Sequence, residues 1–296
     1  MIKKAAEELG CNTVSKGRLS SYTTFGIGGA FQLLIEANGA ETLSKLIPIM
    51  KSENIPFYVL GRGSNLLAAD SDLDMVFIHI GKDMADIEVC GERLTCGAGA
   101  SLSAVCTAAR DHSLTGLEFA YGIPASVGGA VFMNAGAYGG EIKDIIVSAE
   151  AVDMNGNIIT FTPAQMEMSY RHSVFSKGGY IITKAVFELK NGNADEITET
   201  MNTITAKRRE KQPLEYKSAG STFKRPKGAF AAALIEQCGL KGYTVGGAQV
   251  SMKHSGFVIN TGKASFEDVM AVVEHVKKTV FEQTGFELEC EPEIIR

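Results

Sequence analysis

Between Gly122 and Gly140 the chain reads Gly-Ile-Pro-Ala-Ser-Val-Gly-Gly-Ala-Val-Phe-Met-Asn-Ala-Gly-Ala-Tyr-Gly-Gly. Glycine permits φ > 0 and leaves its N–H uncovered. A run of uncovered N–H groups can cradle the phosphates of a nucleotide. A glycine- and alanine-packed helix with a loop is the competing reading, and no short glycine pattern separates the two. Upstream, Gly61-Arg-Gly-Ser-Asn-Leu-Leu67 begins like a dinucleotide fingerprint but lacks its third glycine. No amphipathic helix follows; the chain goes on to Asp70-Ser-Asp-Leu and a strand, so a Rossmann reading fails on context. A phosphate loop closed by strands on both sides fits better, with Ser64 and Asn65 adding side-chain hydrogen bonds. A plain turn is the alternative. Thr23 and Thr24, in the glycine-ended segment Ser20–Gly29, suit ligand contact or an ordinary loop. Two such loops, far apart in sequence, point to one ligand with two phosphates. Periodicity does not identify that ligand.

Composition narrows the setting. The chain has 296 residues, enough for two or three lobes around a full core. A net charge of −5 gives no broad surface for nucleic acid or anionic membrane. The N-terminal MIKKAAEELG lacks an apolar h-region, so no signal peptide is expected, and no apolar run approaches the roughly 18 residues of a membrane span. Cysteines 11, 90, 96, 106, 238 and 290 form no C-x-x-C pair. They read as reduced thiols in a cytoplasm, with no metal-ligand spacing to histidine.

The elements that must position these loops follow from periodicity. Ile2, Ala5, Ala6 and Leu9 mark a short helix. A strand is predicted over Phe31 to Glu36, then a helix over Glu41 to Glu53 weakened or bent by Pro48. Further strands cover Phe57 to Leu60 and Met75 to Ile80. A hairpin turns at Gly91-Glu92, and a helix runs from Ser101 to about His112. A second hairpin turns at Asn155-Gly156. Thr162-Pro163 has the form of a helix start, ending at Ser169. Tyr180 to Leu189 reads as a long strand and Asn191 to Asn193 as a lobe boundary. Helices follow at Ala194 to Lys211 and Ala229 to Cys238. The stretch Tyr243 to Asn260 reads as loop and strand. Ser265 and Asp268 box the start of a last helix with a valine stripe, and Phe286 to Glu289 is expected as a closing strand.

Several motifs, in order, resemble one family. They are Thr23-Thr-Phe-Gly-Ile-Gly-Gly29, Gly61-x-Gly-Ser-Asn-Leu-Leu67, the stretch Gly122–Gly140, Tyr170-Arg-x-Ser-x-Phe175, Ala219-Gly-Ser-x-Phe-Lys224, Gly246-Gly-Ala-Gln-Val-Ser251 and the Glu-rich tail. From about residue 17 to its end the chain is similar to UDP-N-acetylenolpyruvoylglucosamine reductases. The resemblance implies an α+β fold. A two-lobed FAD-binding domain of the vanillyl-alcohol-oxidase (PCMH) type, residues 21–190 with lobes at about 21–80 and 81–190, would follow an N-terminal helix in 1–20. A C-terminal α+β substrate domain would occupy 191–296. It implies tightly but non-covalently bound FAD, NADPH as co-substrate, and reduction of an enolpyruvyl ether to a lactyl ether in peptidoglycan precursor synthesis, hence a role in cell shape and division.

Site residues are implied by the same resemblance. Cofactor contacts fall on Thr24, Gly61, Gly63, Ser64, Asn65, Leu66, Gly122, Pro124, Ser126, Gly128, Gly129, Asn134, Ala137 and Ile182. Arg171 should meet the substrate carboxylate, because its charge does not titrate and its fork suits a carboxylate. Ser221 should give the proton, and Glu291 should be the tail acid that stabilises the intermediate. A two-residue slip in the tail would give that role to Glu293. The chain fits the shorter subtype without an extra tyrosine loop, which leaves Lys217, Lys224 and Gln249 as candidates for the substrate diphosphate. NADPH is expected to share the substrate's cleft. One rival is an oxidase of a small alcohol or sugar on the same fold. Such enzymes often link a histidine or cysteine to the flavin, and neither glycine loop has one. The other is a flavin-binding module without chemistry.

Overall fold

The computed structural model describes residues 1–296. Along the chain the elements are α1 (Ile2–Glu8), β1 (Asn12–Arg18), β2 (Ala30–Glu36), α2 (Ala40–Ser52), β3 (Phe57–Leu60), β4 (Leu66–Ala68) and β5 (Leu73–His79). Then come β6 (Ile87–Cys90), β7 (Arg93–Gly97), α3 (Leu102–Asp111), α4 (Val127–Phe132) and the strands Ile146–Asp153, Ile158–Phe161 and Tyr180–Glu188. Helix α5 (Ala194–Lys211), α6 (Ala231–Gln237), three short strands, α7 (Phe266–Thr284) and the strand Glu293–Ile295 complete it. Mixed helices and sheets give the expected α+β class.

The residues cluster into two units that are not contiguous in sequence. The first comprises residues 1–15, 32–62 and 75–207, and the second 16–31, 63–74 and 208–296. This division differs from consecutive spans with a boundary at 191–193. The first unit runs on to Lys207 within α5, and two early segments group with the C-terminal part.

The first unit is built on two sheets. One has strand order β1-β2-β5-β3, with β3 parallel to β5. The other is antiparallel, in the order Ile158–Phe161, Ile146–Asp153, Tyr180–Glu188, β7, β6. Its central strand carries buried Ile181, Ile182, Ala185 and Phe187, as expected where both faces are covered. Helix α2 buries Leu43, Leu46, Ile47 and Met50, a stripe at helical spacing. Pro48 does not end α2. It lacks the N–H that would bond the Ser44 carbonyl four residues back, and that carbonyl faces the Asn155-Gly156 turn. A Cβ at Gly156 would lie 2.2 Å from the Ser44 oxygen and 2.9 Å from Pro48 Cγ, and its φ is +83°. Only glycine meets both conditions.

The second unit is held by main-chain pairing between distant segments. Glu293–Ile295 runs parallel to β4, with Glu293 opposite Leu66 and Ile295 opposite Ala68. Ala69 N–H then donates to the Ile295 carbonyl at 2.8 Å, and Gly29 N–H to the Ala69 carbonyl at 2.7 Å. A small sheet orders Thr244–Val245, Ala248–Val250 and Val258–Asn260. Helix α7 buries Val269, Val272, Val273, Val276 and Val280 and ends at Gly285, which is left-handed at φ +75°.

Two expectations are corrected, and one strand went unforeseen. Phe286 to Glu289 is not a strand; Cys290 forms one bridge with Phe223, and the closing strand is Glu293–Ile295. Its partner β4 is far away in sequence, so no local pattern announces it. Thr162-Pro163 does not open a helix. Met166 N–H reaches the Thr162 carbonyl for a single turn, and Glu167 then turns left-handed at φ +49°. The polar strand β1 has no apolar alternation to reveal it.

The start of α7 carries a direct test. Ser265 Oγ accepts from Asp268 N–H at 3.1 Å, while the Asp268 carboxylate accepts from Ser265 N–H at 3.0 Å and Gly247 N–H at 3.1 Å. The Ser265 and Gly247 amides hold the Asp268 carboxyl below the usual carboxylate range. Ser265→Ala should cost about 1 kcal/mol in denaturant unfolding. A depressed folded pKa gives stability that is complete above the unfolded value of about 3.9 and is lost as pH falls through the folded one. Asp268→Asn should therefore be less stable than the parent at neutral pH, with the gap closing below about pH 4.

Candidate active site

In the first unit the two glycine loops meet. Gly61 follows β3, and a Cβ there would lie 2.7 Å from Ser126 Oγ. Ser126 is buried and caps α4, its hydroxyl accepting from Gly129 N–H at 3.4 Å. Gly122 is left-handed at φ +81°, and Pro124 lies in the loop between it and the cap. The amides of α4 are not all open, however. Val127 N–H donates to the Ala100 carbonyl and Gly128 N–H to the Ala98 carbonyl, both at 2.8 Å. A Cβ on Gly128 would sit 3.0 Å from Ala98 Cβ. At Val127 and Gly128 the packed-helix alternative holds, because their N–H groups are already bonded within the chain. The stretch contains a short helix packed on Ala98, where glycine buys proximity, and a hairpin pairing Gly136–Ala137 with Gly140–Glu141. Ile182 sits in the central strand opposite Ala151 and is buried.

Asn134 is fully buried and left-handed at φ +44°. Its Nδ2 donates to Glu141 Oε2 at 2.8 Å and to the Ser169 carbonyl at 2.9 Å, and its Oδ1 accepts from Lys143 N–H at 2.9 Å. These bonds tie the 136–141 hairpin to the turn in which Ser169 pairs with His172. That turn presents Arg171 at φ +54°. Arg171 Nη2 donates to the Gly136 carbonyl at 3.3 Å, and its guanidinium lies over the Tyr170 ring at 4.9 Å. Glu141 is a member of this group that no motif indicated; its spacing to Asp144, which forms a capping box, was the one available signal. Lys143, hydrogen-bonded to Glu141, holds that carboxyl below the usual range, with help from Asn134 and the Arg171 charge and against the effect of burial.

In the second unit the Gly63-Ser64-Asn65 loop is held from two sides. Gly63 is left-handed at φ +59°, and a Cβ there would be 2.1 Å from the Tyr22 carbonyl oxygen. Thr24 N–H donates to the Gly63 carbonyl at 3.1 Å and Thr24 Oγ1 to the Ser218 carbonyl at 2.7 Å. Asn65 Nδ2 donates to the Glu291 carbonyl at 3.3 Å, and the Asn65 carbonyl accepts from Glu293 N–H at 2.9 Å. Leu66 opens β4 and is buried. Ser221 follows Gly220, left-handed at φ +77°, and its hydroxyl donates to the Phe223 carbonyl at 3.2 Å. Glu291 N–H bonds the Thr222 carbonyl at 2.9 Å. The structure therefore brings Thr24, Asn65, Ser221 and Glu291 onto neighbouring backbone segments of one unit, while Arg171 belongs to the other. Burial pushes the Cys290 thiol up to about 11, which keeps it a neutral packing group. Among the diphosphate candidates, Lys217 lies against Gly26, Lys224 is 3.3 Å from Glu289, and Gln249 donates to Thr244.

Glycine loops that touch at Gly61 and Ser126, a positive-φ glycine in each, and hydroxyl and amide side chains beside them fit a flavin dinucleotide. Residues 31–162 match the FAD binding domain family, and residues 212–295 match the family "UDP-N-acetylenolpyruvoylglucosamine reductase, C-terminal domain". The chain is 47% identical over 277 residues to the UDP-N-acetylenolpyruvoylglucosamine reductase of Clostridium novyi, covering 94% of this chain and 90% of that one. It is similar to the crystal structure of the Thermus caldophilus enzyme of the same type, with 34% identity, a TM-score of 0.82, and coverage of 97% and 99%. Glucooligosaccharide oxidase from Acremonium strictum aligns at 12% identity and a TM-score of 0.52, covering 98% of this chain and 60% of that one, a likeness of fold alone. Fold and site together define an FAD-containing oxidoreductase on the vanillyl-alcohol-oxidase type of domain. Within that class, the chain belongs to the UDP-N-acetylenolpyruvoylglucosamine reductase family.

The contact between the loops is testable. Gly61→Ala forces its Cβ against Ser126 Oγ and disturbs the α4 cap. The flavin absorbance per mole of protein should fall at least several-fold, while far-ultraviolet circular dichroism stays that of the parent. Full flavin content in this variant would break the link between loop contact and cofactor retention.

Proposed function

We propose that this protein reduces UDP-N-acetylglucosamine enolpyruvate to UDP-N-acetylmuramate with NADPH, in the cytoplasm, where free thiols such as its six cysteines stay reduced. Residues 21–190 serve the cofactor and 191–296 the substrate. The observation that carries the catalytic reading is the bond from Glu291 N–H to the Thr222 carbonyl, which sets the tail acid beside the residue after Ser221. FAD held by these loops would supply hydride transfer from NADPH to the substrate alkene. The chain's own residues then handle charge and proton. Arg171 meets the substrate carboxylate, where negative charge grows as the alkene is reduced; donors placed in advance at such a position are usually a large term in catalysis. Ser221 gives its proton to the other alkene carbon. A serine hydroxyl is a poor acid in water, so this step relies on the strongly basic intermediate. Glu291 steadies that intermediate in its protonated form.

The main-chain arrangement supports Glu291 over Glu293 for this role, because Glu293 lies in the ladder with β4. The cofactor contacts assigned to Thr24, Gly63, Ser64, Asn65, Leu66, Gly122, Pro124, Ser126, Gly129 and Ala137 remain part of this proposal, with Gly61, Gly128, Asn134 and Ile182 supporting the same site through packing and hydrogen bonds.

The test is kinetic. Purified protein should be yellow and should oxidise NADPH in step with added enolpyruvyl substrate. Ser221→Ala should slow the substrate-dependent step by about 10²- to 10⁴-fold and leave bleaching of the flavin by NADPH unchanged. Arg171→Ala should lower kcat and raise KM for the enolpyruvyl substrate. Glu291→Gln should be strongly impaired and Glu293→Gln close to the parent. Unchanged turnover in both Ser221→Ala and Arg171→Ala would sink the catalytic assignment.

A further inference from the structure

We infer that Thr24 is a positioning residue for the proton-delivering half of the reaction, acting through the backbone that carries Ser221. The inference rests on the assignment of Ser221 as proton donor. Thr24 is bonded in two directions, and its hydroxyl also lies 3.4 Å from the Gly63 carbonyl. Its N–H donates to the Gly63 carbonyl at 3.1 Å, and its hydroxyl donates to the Ser218 carbonyl at 2.7 Å. One residue thus spans the cofactor loop and the loop leading into Ser221.

The turn around Thr24 is itself fixed. Thr23 Oγ1 donates to the Ile27 carbonyl at 3.0 Å, and Asn260 Nδ2 to the Phe25 carbonyl at 3.2 Å. Asn260 N–H in turn bonds the Lys217 carbonyl at 2.9 Å, next to Ser218. On the other side, Thr222 is locked by its N–H to the Gly256 carbonyl and by its Oγ1 accepting from Val258 N–H. Between Ser218 and Thr222, Gly220 is left-handed with no neighbour within 4 Å of a Cβ built on it. Gly220 N–H donates to Ser218 Oγ at 3.3 Å, so the Ser221 loop is anchored at both ends and Ser218 is its nearer anchor. The short Thr24 bond fixes Ser218, and it does so from the residue that also holds Gly63. The position of the proton donor is referenced to the cofactor loop. A displacement of about 1 Å at a reacting group can cost about a hundredfold in rate.

Thr24→Val keeps the shape and the N–H to Gly63 but removes the hydroxyl's short bond to Ser218 and its long contact with the Gly63 carbonyl. Thr24→Ser restores the hydroxyl. In holoenzyme with full flavin content, Thr24→Val should reoxidise its reduced flavin with the enolpyruvyl substrate at least tenfold more slowly. Reduction by NADPH should slow far less than reoxidation, because the N–H of Thr24 still holds the cofactor loop at Gly63. The solvent deuterium isotope effect on reoxidation should rise, and amide hydrogen exchange of residues 219–221 should quicken. Thr24→Ser should recover both rate and exchange. Equal slowing of both half-reactions, unchanged exchange at 219–221, or a defect that disappears once activity is expressed per bound flavin would each overturn the inference. Ser221→Ala run in parallel keeps the two readings apart: if it reoxidises at the parent rate, the proton-donor assignment has failed. A parent-like Thr24→Val beside an impaired Ser221→Ala overturns only the role of Thr24.

Discussion

Main-chain hydrogen bonds between segments far apart in sequence hold the second unit together, and both proposed proton-handling residues depend on them. β4 is three residues long, and so is its partner Glu293–Ile295. Each such bond is worth only about 0.5–1.5 kcal/mol net, but a buried amide left without a partner costs more than that. The ladder therefore continues through Ala69 to Gly29. A Cβ on Gly29 would lie 1.7 Å from the Ser71 carbonyl oxygen, so the ladder can close only where that residue has no side chain. Once it is closed, the tail is placed, and Asn65 and Thr222 find Glu291.

The glycines of the two motifs do different work. Gly63 has a left-handed φ and a carbonyl oxygen where its Cβ would be, so conformation and space both demand glycine. Gly128 is helical, and its N–H is already bonded to Ala98. Its value is closeness between α4 and the segment beneath it. A count of glycines reports that something approaches the backbone. It does not report whether that is a ligand or another part of the chain.

Electrostatics around Arg171 follow the same pattern of prior placement. Glu141 stays ionised because Lys143 and Asn134 bond it, and a fixed carboxylate near a permanent guanidinium restricts where that cation can point. The oxidase at 12% identity shares this fold and nothing more. A domain that can hold a flavin does not choose the reaction; the residues set around it do.

Much of this was legible from local pattern. The span Phe57–Leu60, the hairpins at Gly91-Glu92 and Asn155-Gly156, the span Ala194–Lys211 and the Ser265–Asp268 box are properties of a few neighbouring residues, and the two glycine loops showed by the same token that something approaches the backbone there. The motif order in the chain was enough to identify Arg171, Ser221 and Glu291 as candidates. Tertiary structure alone decided that Phe286 to Glu289 yields its strand to Glu293–Ile295, that residues 16–31 and 63–74 cluster with the C-terminal part, that Gly128 packs on Ala98, and that Thr24 reaches Ser218. Each of those outcomes is a choice of partner for a main-chain group. Every residue offers nearly the same N–H and C=O, so a sequence carries no label for which distant pair will meet.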